Sequence, residues 1–211
     1  MYTPAHFAES RRCAVHALIR TNPFAALVTG GPDGPTATHL PFIFDSNRGA
    51  HGTLRGHMAR ANAQWSEPGA FDGTAEALVI FTGPHAYISP SWYHENQAVP
   101  TWNYSAVHAY GIPRTVAAPE AVLALLADQV AFFEAGFEQP WNTSALPLDW
   151  LVRLSAGVVA FEIEITRIEA TSKMSQNRPT EQLLVAAELE RLDDAVSVAV
   201  AAEMRASHDA R

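Results

Sequence analysis

GPHAYISPSWYHENQAVPTWNYSAVHAYG, residues 83–111, is the stretch on which the reading of the fold turns. It packs two Trp, four Tyr and three His into one short segment. Two extended pieces flank a loop bearing Pro90 and Pro100. Proline fixes φ and pushes the preceding residue toward extended geometry, so the loop is firmly held. A loop of that kind, rich in planar side chains, lines a site; the competing reading is a sandwich core whose aromatics cluster. The segment alone leaves both open.

Immediately upstream, residues 77–81 (ALVIF) form a short apolar run of core-strand type. Downstream, 107–116 reads as a strand interrupted near Pro113. Further out, 10–20 has Val15, Leu18 and Ile19 at helical spacing with Ser10 as N-cap, and Asn22-Pro23 ends it. Residues 24–29 read as a buried strand, 30–35 as a turn and 36–44 as the returning strand, where Pro41 points to an edge or a bulge. A third strand spans 52–56, and 56–62 reads as a short polar helix or turn. Pro119-Glu120 opens a helix with Val122, Leu126, Val130 and Phe133 as its buried stripe and Gly136 as its stop. Residues 148–154 make a helical turn or two. In 157–170, Phe161, Ile163 and Ile165 alternate with Glu162, Glu164 and Thr166 as in a half-buried strand. Residues 172–178 form a polar exit loop, and 180–205 is helical with a break at Asp193-Asp194. Hairpins in series with helices at the ends give an α+β class, mainly antiparallel β, as a barrel or sandwich. No repeat or linker divides the chain, so one domain over 1–211 is expected.

Composition narrows the function. A net charge of −8 over 211 residues, with Lys173 the sole lysine, speaks against a nucleic-acid-binding face. The start MYTPAHFAES has no basic n-region and no apolar h-region, no apolar run reaches membrane-spanning length, and the single Cys13 fits a reducing compartment. The expectation is a cytoplasmic protein that meets no membrane.

No phosphate loop of the P-loop or dinucleotide type is present, since Gly30-Gly31-Pro32-Asp33-Gly34 lies between two strands. Ser89 or Ser91 with His85 lacks a nucleophile-elbow pattern, and His85, His94 and His108 lack zinc-site spacing, so no metal is expected. Three polar sets remain. His57, Arg60 and Asn62 follow a strand, where a guanidinium and backbone N–H groups hold phosphate well. Lys173, Gln176, Asn177 and Arg178 follow the last strand, and Thr38 and His39 lie on the second. With Trp102, Tyr104 and Tyr110 as flat partners, their conjunction suits a phosphorylated planar cofactor. Each set alone reads more readily as a solvated surface patch.

The motifs GHMARAN (56–62) followed by Gln64-Trp65, ATHLP (37–41), GPHAYISPSWY (83–93), PTWNY (100–104) with Val107-His108 and Tyr110-Gly111, and KMSQNR (173–178) resemble those of the PaiB-type family of FMN-binding proteins. They occur in the same order over almost the whole chain; the part after Thr180 carries little of the likeness. The resemblance implies an FMN-binding split β-barrel with peripheral helices, a homodimer with FMN at the subunit interface. The helices at about 180–205 would pack on the barrel or at that interface. Carried over by residue, it implies cofactor contacts from Thr38, His39, His57, Arg60, Asn62, Trp102, Asn103, Tyr104, Lys173, Gln176 and Asn177. His57, Arg60 and Asn62 would lie at the phosphate end. Four functions follow from it or compete with it. The first is an FMN-dependent oxidoreductase of unknown substrate, with His85 and Tyr93 as proton donors and no catalytic residue fixed. The others are a flavin-binding negative transcriptional regulator without turnover, a haem-binding or haem-degrading barrel, and a flavin-free barrel acting through protein contacts.

Overall fold

The structure is a computed structural model that describes residues 1–94, 98–144 and 146–209. Within the opening stretch, therefore, 95–97 lie outside the described residues. Among the described residues the strands are β1 (Phe24–Gly31), β2 (Gly34–Asp45), β3 (Thr53–Ala59), β4 (Ala77–Ile88), β5 (Thr101–Thr115) and β6 (Val158–Lys173). The α-helices are α1 (Arg12–Thr21), α2 (Pro119–Glu134), α3 (Leu148–Ser155), α4 (Pro179–Arg191) and α5 (Ala195–Asp209). The strands close into a barrel in the order β1-β2-β3-β6-β5-β4. The chain divides into two compact units. Unit 1 is Met1–Leu18, Thr82–Val107 and Glu169–Arg211; unit 2 is Ile19–Phe81 and His108–Ile168. Strands β4, β5 and β6 contribute residues to both.

Unit 2 holds the β1–β2, β1–β4, β2–β3 and β3–β6 pairings. β1 and β2 form a hairpin whose ladder closes at Gly31↔Gly34, leaving Pro32 and Asp33 as the turn. Gly34 sits at φ +116°, a backbone conformation that side chains resist. Pro41, expected at an edge or bulge, lies instead on an interior strand. It pairs with Phe24 at the end of the β1 ladder, and pairing with β3 begins at the next residue, Phe42↔Gly56. Proline's missing N–H is tolerated because it falls where β2 is handed from one partner to the other. Residues 56–59 are strand rather than helix or turn, because the ladder with β6 runs on to Ala59↔Val158. The alternation supports this: Leu54, Gly56 and Met58 are buried, while Arg55 and His57 are half-buried. β5 likewise passes through Pro113 without the expected interruption.

The barrel core of unit 2 centres on aromatic edge contacts. Phe42 lies 6.0 Å from both Phe81 and Phe161, and Phe71 lies 5.1 Å from Phe161. Helix α2 lies where expected, but its buried residues are Leu125 and Gln129. The expected stripe is displaced: Val122, Leu126 and Val130 are half-buried and Phe133 is exposed. Leu126, Val130 and Phe133 line a cavity shared with α3 instead.

In unit 1, α4 and α5 pack on each other. The break between them falls where the sequence places it, with Asp193 at φ 54° and the Asp194 side chain accepting from the N–H groups of Val196 and Ser197. Their shared core joins Met174, Val185, Leu189, Val200 and Met204 to Ala86 and Ile88 of β4. β6 continues to Lys173, so the exit loop is shorter than expected, and Met174 and Ser175 within it are buried.

Candidate functional site

The residues singled out in the sequence fall into two sets, one in each unit. In unit 2, the end of β3 and the turn after it carry His57, Arg60 and Asn62. Asn62 reaches back to β2, donating through Nδ2 to Thr38 Oγ1 at 2.9 Å, while its Oδ1 accepts the Gln64 N–H. Two residues from separate motifs are thus brought together. The Arg60 guanidinium is engaged with backbone: Nε donates to the Ala156 carbonyl at 2.7 Å and Nη2 to that of Val158 at 2.8 Å. Trp65 Nε1 donates to the Arg60 carbonyl. Arg60 and Trp65 both line an open cavity of about 450 Å³. His39 is exposed and stacks near Phe24, with ring centroids 6.0 Å apart. His57 turns toward α2, where Nδ1 lies 2.6 Å from Gln129 Oε1.

In unit 1, the outward-facing residues of β4 and β5 build an aromatic face. Trp102 is 53% exposed and Tyr87 46%, with ring centroids 6.0 Å apart, and His85 lies 6.3 Å from Trp102. Monomer surfaces seldom leave such rings open together without a use. Tyr104 is half-buried on the same strand. Lys173 Nζ donates to the Trp102 carbonyl at 2.8 Å and to Thr101 Oγ1. Both partners are neutral, and among the described residues no carboxylate pairs with this ammonium. Burial holds its pKa below the ordinary lysine value. Gln176 folds onto its own loop, accepting from the Met174 N–H and donating to the Ser172 carbonyl. Asn177 is exposed.

Asn103 points the other way from Trp102, as strand alternation requires, and is fully buried. Its Nδ2 lies 2.9 Å from Ser175 Oγ and 3.4 Å from Met204 Sδ, and its Oδ1 accepts from the Ser175 hydroxyl. The bond braces Ser175, which holds φ 60°. Asn103→Ala is expected to lower stability by about 1–3 kcal/mol in denaturant unfolding. A cost near zero would mean that the loop does not depend on it.

Glu203 of α5 was not singled out in the sequence. It accepts from Ser105 Oγ at 3.3 Å, and burial pushes its carboxyl above the ordinary range while the Ser105 hydroxyl pulls it back. Gly83 is bare because a Cβ there would meet Ser105 Oγ at 2.2 Å. A carboxyl with a raised folded-state pKa favours folding when protonated, and that contribution is lost as pH rises through the raised value. Glu203→Gln is therefore expected to flatten the fall in melting temperature above about pH 5. An unchanged slope would exclude Glu203 as its source. The sequence hid this group because a lone Glu on a helix reads as solvated surface.

The side chains fit a flavin mononucleotide on their donor chemistry. A half-buried ammonium with only neutral partners suits a phosphate, and exposed planar rings suit a fused aromatic system. Among the described residues no cluster of three His, Cys, Asp or Glu could hold a metal ion, and no helix is long and apolar enough to cross a membrane.

Comparison with known proteins agrees. Residues 1–167 match the family model described as "Putative FMN-binding domain". The protease synthase and sporulation protein PAI 2 of Bacillus subtilis is 36% identical over 182 residues, covering 84% of this chain and 83% of the relative. Among solved structures, the flavocytochrome Anf3 from Azotobacter vinelandii superposes with a TM-score of 0.58 at 12% identity, over 79% of this chain and 69% of that one. The FAD and haem binding protein from Mycobacterium smegmatis gives 0.56 at 17% identity, over 78% and 71%. At those identities the two structures speak for the split-barrel fold alone. The family match and the Bacillus relative go further: this chain belongs to the FMN-binding domain family, and FMN is its cofactor.

Proposed function

We propose that the protein is an FMN-dependent oxidoreductase acting on a small molecule. The observation that carries this reading is the aromatic face of unit 1 with the uncompensated Lys173 ammonium at its edge. On this reading Lys173 holds the phosphate, Trp102 and Tyr87 bear on the flat ring system, and the exposed His85 supplies or takes up a proton. The cofactor, once bound, contributes hydride and electron transfer; the protein binds it and tunes it. We further propose that the molecule works as a homodimer in which a second copy helps cover this face, since 53% exposure of Trp102 is costly in water.

The test starts from the visible spectrum of the purified protein and the mass of whatever it releases on denaturation. FMN release followed by bleaching of the flavin band with NADH or NADPH under anaerobic conditions is the expected result. FMN release with no reduction by either donor would overturn the oxidoreductase reading and leave a flavin-binding protein without turnover. The resemblance of the motifs to the PaiB-type family favours that second reading as a regulator. A net charge of −8 and one lysine give little with which to hold a phosphate backbone, so a regulatory role would run through a protein partner. Sedimentation velocity tests the dimer, with a single monomeric species as the result that sinks it.

A further inference from the structure

Unit 2 contains a cavity of about 640 Å³ that the flavin reading leaves unused. Its walls come from α2 and α3: Leu126, Val130, Phe133, Trp150, Leu151 and Leu154. No lysine or arginine lines it among the described residues, so it is unsuited to a phosphate. The volume lies within the roughly 300–1,000 Å³ of sites that take small organic molecules.

The Gln129–His57 pair stands in this largely apolar wall, and the neighbours fix the tautomer of the neutral ring. Gln129 is only 4% exposed, and its Nε2 lies 3.1 Å from the Pro41 carbonyl oxygen. A carbonyl only accepts, so the amide nitrogen must face it and Oε1 must face His57. Oε1 in turn only accepts, so the proton of a neutral His57 ring sits on Nδ1. That leaves Nε2 as an acceptor, with no partner among the described residues. A buried glutamine thus fixes one imidazole tautomer at the edge of an apolar cavity.

We propose that this cavity binds a small, mainly apolar ring compound carrying one hydroxyl or N–H group, which donates to His57 Nε2. Of the other polar wall groups, Glu134 accepts from the Trp141 N–H and the Ser155 hydroxyl donates to the Val152 carbonyl. His57 then recognises a neutral donor, and the cofactor phosphate is held elsewhere.

The test is calorimetric titration of the protein as purified with 1-naphthol and with its methyl ether, which keeps the rings and loses the donor. The wild type is expected to bind 1-naphthol about tenfold more tightly than the ether. His57→Phe should keep affinity for the ether and bring the naphthol down to match it. Leu126→Trp fills the cavity and should remove binding of both. If His57→Phe does not fold, Gln129→Leu serves, because it frees the ring to adopt the other tautomer and should lessen the preference. Binding of neither probe by the wild type, a preference that survives both His57→Phe and Gln129→Leu, or affinities untouched by Leu126→Trp would each overturn the proposal.

Discussion

Replacing Lys173 by alanine is expected to weaken FMN binding about 10- to 100-fold with little change in thermal stability. Among the described residues the half-buried ammonium meets only the Trp102 carbonyl and the Thr101 hydroxyl, with the Phe7 ring 5.7 Å away. Burial penalises a charge, as its lowered pKa records, and neither neutral oxygen offsets that penalty as an anion would. The folded protein thus gains little from the charge by itself, whereas a bound phosphate gains a charge-assisted contact. Lys173→Arg keeps the charge and should lose less. Flavin fluorescence during titration of the apoprotein measures both variants. Equal affinity in wild type and Lys173→Ala would show that the phosphate is held by other groups.

Phe161→Ala is expected to cost about 3–5 kcal/mol in urea unfolding, the usual price of deleting a fully buried aromatic ring. Phe161 is inaccessible to solvent and sits at the junction of the Phe42 and Phe71 rings. It faces Gly56, the residue with which it pairs across β3 and β6. A Cβ at Gly56 would lie 3.2 Å from the Phe161 ring, so the bare glycine and the large ring are one packing unit. Two other phenylalanines hold the surrounding wall in place, which limits how far the space can collapse. A loss under about 1.5 kcal/mol would mean that the wall does collapse and that the ring is not central to the core.

Much of the fold was legible because the residues concerned answer to local rules. The alternation in β6, the Gly-Pro-Asp-Gly turn, the Pro119 helix start and the Asp193-Asp194 break each depend on a few neighbouring side chains. Errors arose where a distant partner decides. Residues 57–59 lack strand-like composition, yet β6 pairs with them from about a hundred residues away. Pro113 does not break β5, although proline within a strand ordinarily argues for an end. For the site, Thr38 and Asn62 come from separate motifs and meet in a hydrogen bond, and Trp102 is exposed. Asn103 and Trp102 are adjacent in one motif but face opposite sides of β5, and a motif does not record which side faces the core. Gln129 did leave a signal: it falls four residues after Leu125 on the buried line of α2, where a polar side chain needs a partner.

The register of β3 also bears on how the protein is made. The β1–β2 hairpin can form as soon as residue 45 is synthesised, but β3 finds its second neighbour only with residues 158–164, from Ala59↔Val158 to Thr53↔Glu164. Until then one edge of the nascent sheet has unpaired N–H and C=O groups, the situation that invites pairing with another chain. Closing so long a loop is slow relative to hairpin formation. An edge left open for that long is the hazard, so a released chain that ends before residue 158 should aggregate where one that includes the whole of β6 can close the β3 edge.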